Sequence, residues 1–210
     1  MKISNDLQLN TIDPYEIICQ IFTSIRSYLS SSPDFQILDV TEQISLFKRN
    51  LQTMIAFYLI LFFRETNLIE NTQLIESFSK FYSFEMFQLI KYFNEQIDLD
   101  ATTLKLILFV FAFSTNCIFI NNFDDNERDS LIHGTFRLLT SQNTYLEVLW
   151  KYMIYRYGYL ESIRRISQLV QIFVCLSKHL SSISMNNSTY QNLIANIVEN
   201  IQKSLTHNEH

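Results

Sequence analysis

The sequence predicts an all-α fold, and three observations carry that expectation. Gly and Pro total four of 210 residues (Pro14, Pro33, Gly134 and Gly158), where average usage would supply about twenty-five. Sheet-rich folds need many tight turns, which draw on Gly for positive φ and on Pro for preset φ. Apolar residues recur at helical spacing along most of the chain, and capping signals stand at the head of several of these stretches. With 48% hydrophobic and 18% charged residues, the chain can build one sizeable core. Neither internal repeats nor a Pro- or Gly-rich linker divides it, so one domain of about eight to eleven helices is expected.

The elements follow in order. Residues 1–12 read as a tail. Asp13-Pro14-Tyr15-Glu16 offers a cap, a proline suited to the first helical position and, in Glu16, the partner that completes a capping box, and Ile18, Ile21, Phe22, Ile25 and Leu29 then outline one helix face, ending before Ser30-Ser31-Ser32-Pro33. Asp39 and Glu42 form a second capping box, opening a helix to about Phe63 that becomes apolar on every side after Met54, as a central core helix does. From Arg64 to Ser83 the pattern weakens, and a short helix or a minor β-hairpin is expected there. Helical spacing returns over 84–93 and from Thr102 to about Ile118. Asp124 to Glu127 opens a helix to about Thr140, and a long stripe follows through Leu149, Tyr152, Met153, Leu160, Ile163, Ile166, Leu169, Val170, Phe173, Leu176 and Leu180, with a bend at Gly158. Ser181 to Ser188 reads as a polar loop, Leu193 to Ile201 as a short final helix, and 202–210 as a polar tail, leaving 13–201 as the domain.

Several function classes are excluded. Sixteen Lys and Arg against 21 Asp and Glu give a net charge of −5, and no basic stripe exists to follow a phosphate backbone. Three cysteines, far apart in sequence, suit a reducing compartment. The N-terminus carries no apolar signal stretch, so an intracellular protein is expected. Leu51–Phe63 and Leu106–Phe123 are apolar, but the first is short for a membrane span and the second is broken by polar residues, so both read as core helices. His133, His179, His207 and His210 form no ligand pair at helical spacing, and no catalytic motif occurs. No enzyme activity, cofactor or metal is expected.

Residues Pro33 to Lys48, PDFQILDVTEQISLFK, resemble the signature of the nuclear receptor ligand-binding domain. Pro33, Phe35, Leu38, Glu42, Gln43, Leu46, Phe47 and Lys48 fall in register without a gap, with Glu42 in place of Asp and Phe47 in place of Leu. Asp100 with Leu104, Lys105, Ile107 and Val110 resembles the family's eighth helix, and Ile166 to Leu180, ending His179-Leu180, resembles its tenth and eleventh.

The resemblance implies a three-layer helical sandwich around an apolar pocket. It also implies transcriptional regulation by a lipophilic small molecule and a coregulator helix, in the nucleus or the cytoplasm. By position, Ile18, Ile21, Phe22, Ile25, Ile55, Leu59, Phe62 and His179 would line the pocket. Ser30, Gln43, Phe47, Lys48, Asn196 and Glu199 would flank the coregulator groove. Leu160, Ile163, Leu169, Phe173 and Leu176 would form a face for a homodimer or for a heterodimer with another receptor. Three cysteines cannot build the two four-cysteine zinc sites of the family's DNA-binding module, so these residues are not expected to bind nucleic acid directly. Ile21 and Phe62 stand where steroid-type receptors place a Glu and an Arg, and Ser30 and Asn196 stand where the groove's charged residues belong. Weak or altered coactivator binding follows. With 18 Phe, a pocket filled by side chains is the alternative, leaving a ligand-independent dimerisation module. An unrelated helical bundle is the second alternative.

Overall fold

The computed structural model describes residues 13–96, 99–114 and 125–206. Among them are nine α-helices and one 3-10 turn, with no strand, so the protein is all-α.

Helix α1 (Pro14–Ser30) starts where Asp13 accepts a hydrogen bond from the Tyr15 amide at 2.9 Å, a simple cap in place of the capping box expected with Glu16. The single turn α2 (Pro33–Gln36) buries Phe35. Helix α3 (Val40–Thr66) carries a complete capping box: the Glu42 amide donates to Asp39 Oδ1 at 2.8 Å and the Asp39 amide to Glu42 Oε2 at 3.0 Å. From Asn50 to Phe63 every α3 residue except Tyr58 is buried, because α1, α5, α6, α7, α8 and α9 all pack around it. Length and composition alone would let α3 cross a membrane, yet 83% of its apolar window is buried inside the fold, which accounts for its hydropathy.

The hairpin considered for 64–83 does not form. Asn67 ends α3 in the left-handed region at φ 54°, a conformation its short polar side chain tolerates. A 3-10 turn (Leu68–Glu70) follows, and Asn71 then caps α4 (Thr72–Phe78) by accepting from the Leu74 amide at 2.9 Å. The two asparagines spend this segment on a stop and a start, and Leu74 and Phe78 bury at i, i+4 spacing.

Helices α5 (Phe84–Gln96) and α6 (Ala101–Ala112) complete the first half. Asn50 of α3 ties α6 down by donating to the Ala112 and Ser114 carbonyls at 2.8 and 2.9 Å. Helix α6 lies against both α3 and α7 (Asp125–Tyr157). Phe109, Tyr145 and Phe113 form a stacked seam there, with centroids 4.6 and 5.4 Å apart. The two segments expected around residue 140 are one helix, because no Gly or Pro lies between Thr135 and Tyr157 and Leu138, Ser141, Leu149 and Met153 keep one buried stripe.

Gly158 does break the long segment: at φ 80° it separates α7 from α8 (Tyr159–Asn186). The expected polar loop at 181–188 is helical as far as Asn186, since Ile183 extends the buried spacing of Leu176 and Leu180. Asn187 alone links α8 to α9 (Ser188–Thr206), accepting from the Tyr190 amide at 3.0 Å and donating to the Lys80 carbonyl at 3.0 Å. Helix α9 is longer than expected and runs into the stretch read as a polar tail. It buries Leu193, Ile194, Ile197, Ile201 and Leu205 and packs on α1, α3 and α8. At roughly 1.5–3 kcal/mol gross for each such side chain, these five rival the ~5–15 kcal/mol net stability of an ordinary domain. Helix α9 is therefore part of the core rather than a loose lid.

Candidate functional site

The residues expected to line a pocket belong to one continuous core. Ile18, Ile21, Phe22 and Ile25 of α1 and Ile55, Leu59 and Phe62 of α3 are all buried in it. A side chain beside an empty space of ligand size keeps surface that a water molecule can touch. Ile18, Ile55 and Leu59 keep none, each being 0% exposed. A cavity does occur between α3, α5, α6 and α8, beside Phe57, Arg64, Phe93 and Ile172, but it encloses about 10 Å³. That is the lower limit for one water, against about 300 Å³ or more for a small-molecule site. Arg64 donates to the Leu99 carbonyl, tying α3 to the start of α6.

His179 stands apart from that interior, half-buried on α8. The Glu85 carboxyl is held below its ordinary range mainly by its own backbone amide and then by the Ser83 hydroxyl, with a smaller electrostatic contribution from His179. His179 therefore lies within reach of the first turn of α5.

The residues expected at a coregulator groove divide. Phe47 is buried, its ring edge-on to Phe22 at 6.0 Å and to Phe35 at 5.4 Å, so it is core and offers no groove surface. Gln43 donates to the Phe35 and Leu38 carbonyls at 3.1 Å each, which pins the α2–α3 junction. Lys48 is half-buried; Ser30 and Asn196 are exposed on α1 and α9. Glu199 is exposed and pairs with Lys203 at 2.6 Å, one turn along its own helix, which holds its carboxyl below the usual range.

The residues expected at a dimer face also divide. Leu169 and Leu176 are buried in the core, and Phe173 is half-buried, stacked on Phe111 at 5.0 Å. Leu160 and Ile163 point outward at 81% and 41% exposure. Their true companions are Val170 and Val174, 57% and 60% exposed. The apolar residues of α8 form two stripes on opposite faces, and the sequence presents them interleaved. The separating signal lies in the spacing: Leu160, Ile163, Ser167, Val170 and Val174 follow steps of three and four along one face, and Leu169, Ile172, Leu176, Leu180 and Ile183 follow steps of three and four along the other, half a turn away.

The elbow at Gly158 is flanked by side-chain contacts on both helices. Asp100 caps α6 through the Thr103 amide at 2.8 Å and accepts from the Tyr157 and Tyr152 hydroxyls of α7 at 2.8 and 3.0 Å. Burial pushes the Asp100 carboxyl up, but these hydrogen bonds outweigh it and leave it below its ordinary range. On the α8 side, Arg165 lies over the Tyr157 ring at 4.1 Å and pairs with Glu161 at 2.8 Å. Among the described residues no three His, Cys, Asp or Glu side chains converge as metal ligands do.

Comparison with known protein families, with curated proteins and with solved structures finds no match.

Proposed function

We propose that this chain is a ligand-independent relative of the nuclear receptor ligand-binding domain, acting as a protein-interaction module rather than as a lipid sensor. The observation that carries this reading is the filled interior. Ile18, Ile55 and Leu59, three of the side chains that would face a ligand, keep no exposed surface, and α9 packs its apolar face directly on α1 and α3. The resemblance at Pro33 to Lys48 supports the family. Glu42 adds to it: it is 4% exposed, closes the capping box and takes Arg137 of α7 at 3.5 Å, so the signature segment is anchored to the far side of the fold. On this reading the chain regulates transcription, in the nucleus, through the protein it pairs with.

Native mass spectrometry of the purified full chain tests this. The expected spectrum is that of the polypeptide without an adduct. A stoichiometric co-purifying lipid would overturn the reading and restore the ligand-binding one. The coregulator groove gives a second check. With Phe47 in the core and Glu199 already paired, a leucine-rich coactivator peptide lacks charge-assisted hydrogen bonds worth about 1.5–3 kcal/mol each, so its titration should show only weak binding.

A further inference from the structure

Buried polar atoms are almost always hydrogen-bonded, so a side chain that no protein group satisfies needs an explanation. Among the described residues, Asn94 of α5 is such a side chain at both ends of its amide. Neither Nδ2 nor Oδ1 meets a hydrogen-bond partner there, and both are screened from bulk solvent. The position sharpens the question. Met86 and Ile90, each 0% exposed, precede Asn94 at steps of four, so the buried stripe of α5 calls for a third apolar residue at 94.

Asn94 lines the cavity of about 10 Å³ between α3, α5, α6 and α8. Arg64 and Leu99 line the same space, and the Leu99 carbonyl accepts from the Arg64 guanidinium. We propose that this cavity is a binding site for one water molecule, which joins Asn94 of α5 to the Arg64–Leu99 contact between α3 and α6. Size limits the occupant, since ~10–15 Å³ is the room that a single water needs. Charge limits it further. The guanidinium repels a cation, and an anion is larger than the space. A water both donates and accepts, so it can serve an end of the Asn94 amide and the second lone pair of the Leu99 carbonyl together. The rest of the wall, Phe57, Phe93, Leu104 and Ile172 among it, offers the amide no side-chain partner. A cavity with apolar walls alone stays dry, but leaving a buried amide unpaired costs more than immobilising one water. The site is independent of the interaction-module reading, because one water neither requires nor replaces a lipid.

Nuclear magnetic resonance of the full chain tests the site. The wild-type Asn94 side-chain amide protons should show a direct Overhauser effect to water, with the sign of a water held in place. Water-oxygen relaxation dispersion, which counts waters that exchange slowly with bulk, should fall by one water in Asn94→Leu. That variant nearly keeps the side-chain volume and removes both polar ends. Wild-type amide protons without the water signal would overturn the proposal. A folded Asn94→Leu with the dispersion amplitude of the wild type would do the same. Should Asn94→Leu fail to fold, the wild-type measurement decides alone. A lipid adduct in the mass spectrum would sink the interaction-module reading and leave this site standing.

Discussion

Helices α3 and α8 are nearly equal in length, 27 and 28 residues, and both are rich in branched and aromatic side chains, yet they occupy opposite kinds of environment. Neighbours surround α3, and its middle has no outward face. Helix α8 is half immersed: Leu169, Ile172, Leu176 and Leu180 enter the core while Leu160, Ile163, Val170 and Val174 do not. An apolar residue therefore means different things on the two helices. On α3 it is a stability element whichever way it points; on α8 its meaning depends on which stripe it belongs to. The location of each stripe, more than the total of apolar residues, separates the part of this molecule that holds it together from the part available to a partner.

The sharpest way to break that contrast is a truncation inside α3. Leu59→Ala removes a side chain with no exposure, and chemical denaturation should show a loss of about 2–5 kcal/mol, the range for a buried Leu whose cavity does not collapse. A loss below 1 kcal/mol would mean that the interior is loosely filled and that room for a ligand exists after all.

Next in size is the anchor between the two halves. Asp100→Ala removes an N-cap and the acceptor of two phenol hydroxyls, and should cost about 2 kcal/mol at neutral pH. Because the folded Asp100 carboxyl lies below its ordinary range, its contribution is present above that range and is lost as pH falls through the folded value. The wild-type stability advantage over the variant, followed by thermal melts at stepped pH, should therefore shrink on acidification. An advantage that grows with acid would show that the carboxyl is not held as described.

A smaller effect is expected at the elbow. Gly158→Ala would place a Cβ where nothing lies within 4 Å, so any cost comes from the φ of 80° alone, about 1–3 kcal/mol for a conformation that side chains rarely adopt. Scanning calorimetry that finds Gly158→Ala neutral would show that α7 and α8 can meet at another angle.

The smallest effect falls on the outward stripe. Val170→Ser should change unfolding free energy by less than about 0.5 kcal/mol, although the same change at Leu176 would be severe. A substantial loss at Val170 would mean that the stripe is covered within the monomer.

How far the sequence could be read followed from how local the deciding physics is. The start of α1, the capping box of α3 and the break at Gly158 all depend on residues within a few positions of the backbone they act on, and each stands where the spacing puts it. The sequence of 64–83 admits two alternatives because Asn67 and Asn71 suit a turn equally well in a hairpin or between helices; Phe78, closing on Phe63 and Phe87 at 5.8 Å each, decides between them. The polar run at 181–188 misled because a single buried residue, Ile183, is enough to keep α8 helical when a core lies beneath it. Of the candidate site, the apolar identity of the α1–α3 residues was legible, but whether they enclose a space was not.

The sequence by itself determined the all-α class and the places where most helices begin, because capping, glycine scarcity and apolar periodicity act along the chain. Only the tertiary structure decided that the described α1 and α3 side chains close into one core and that α8 has one face in that core and another outside it. Both depend on which side chains arrive from distant helices, and periodicity identifies an apolar face without saying what covers it.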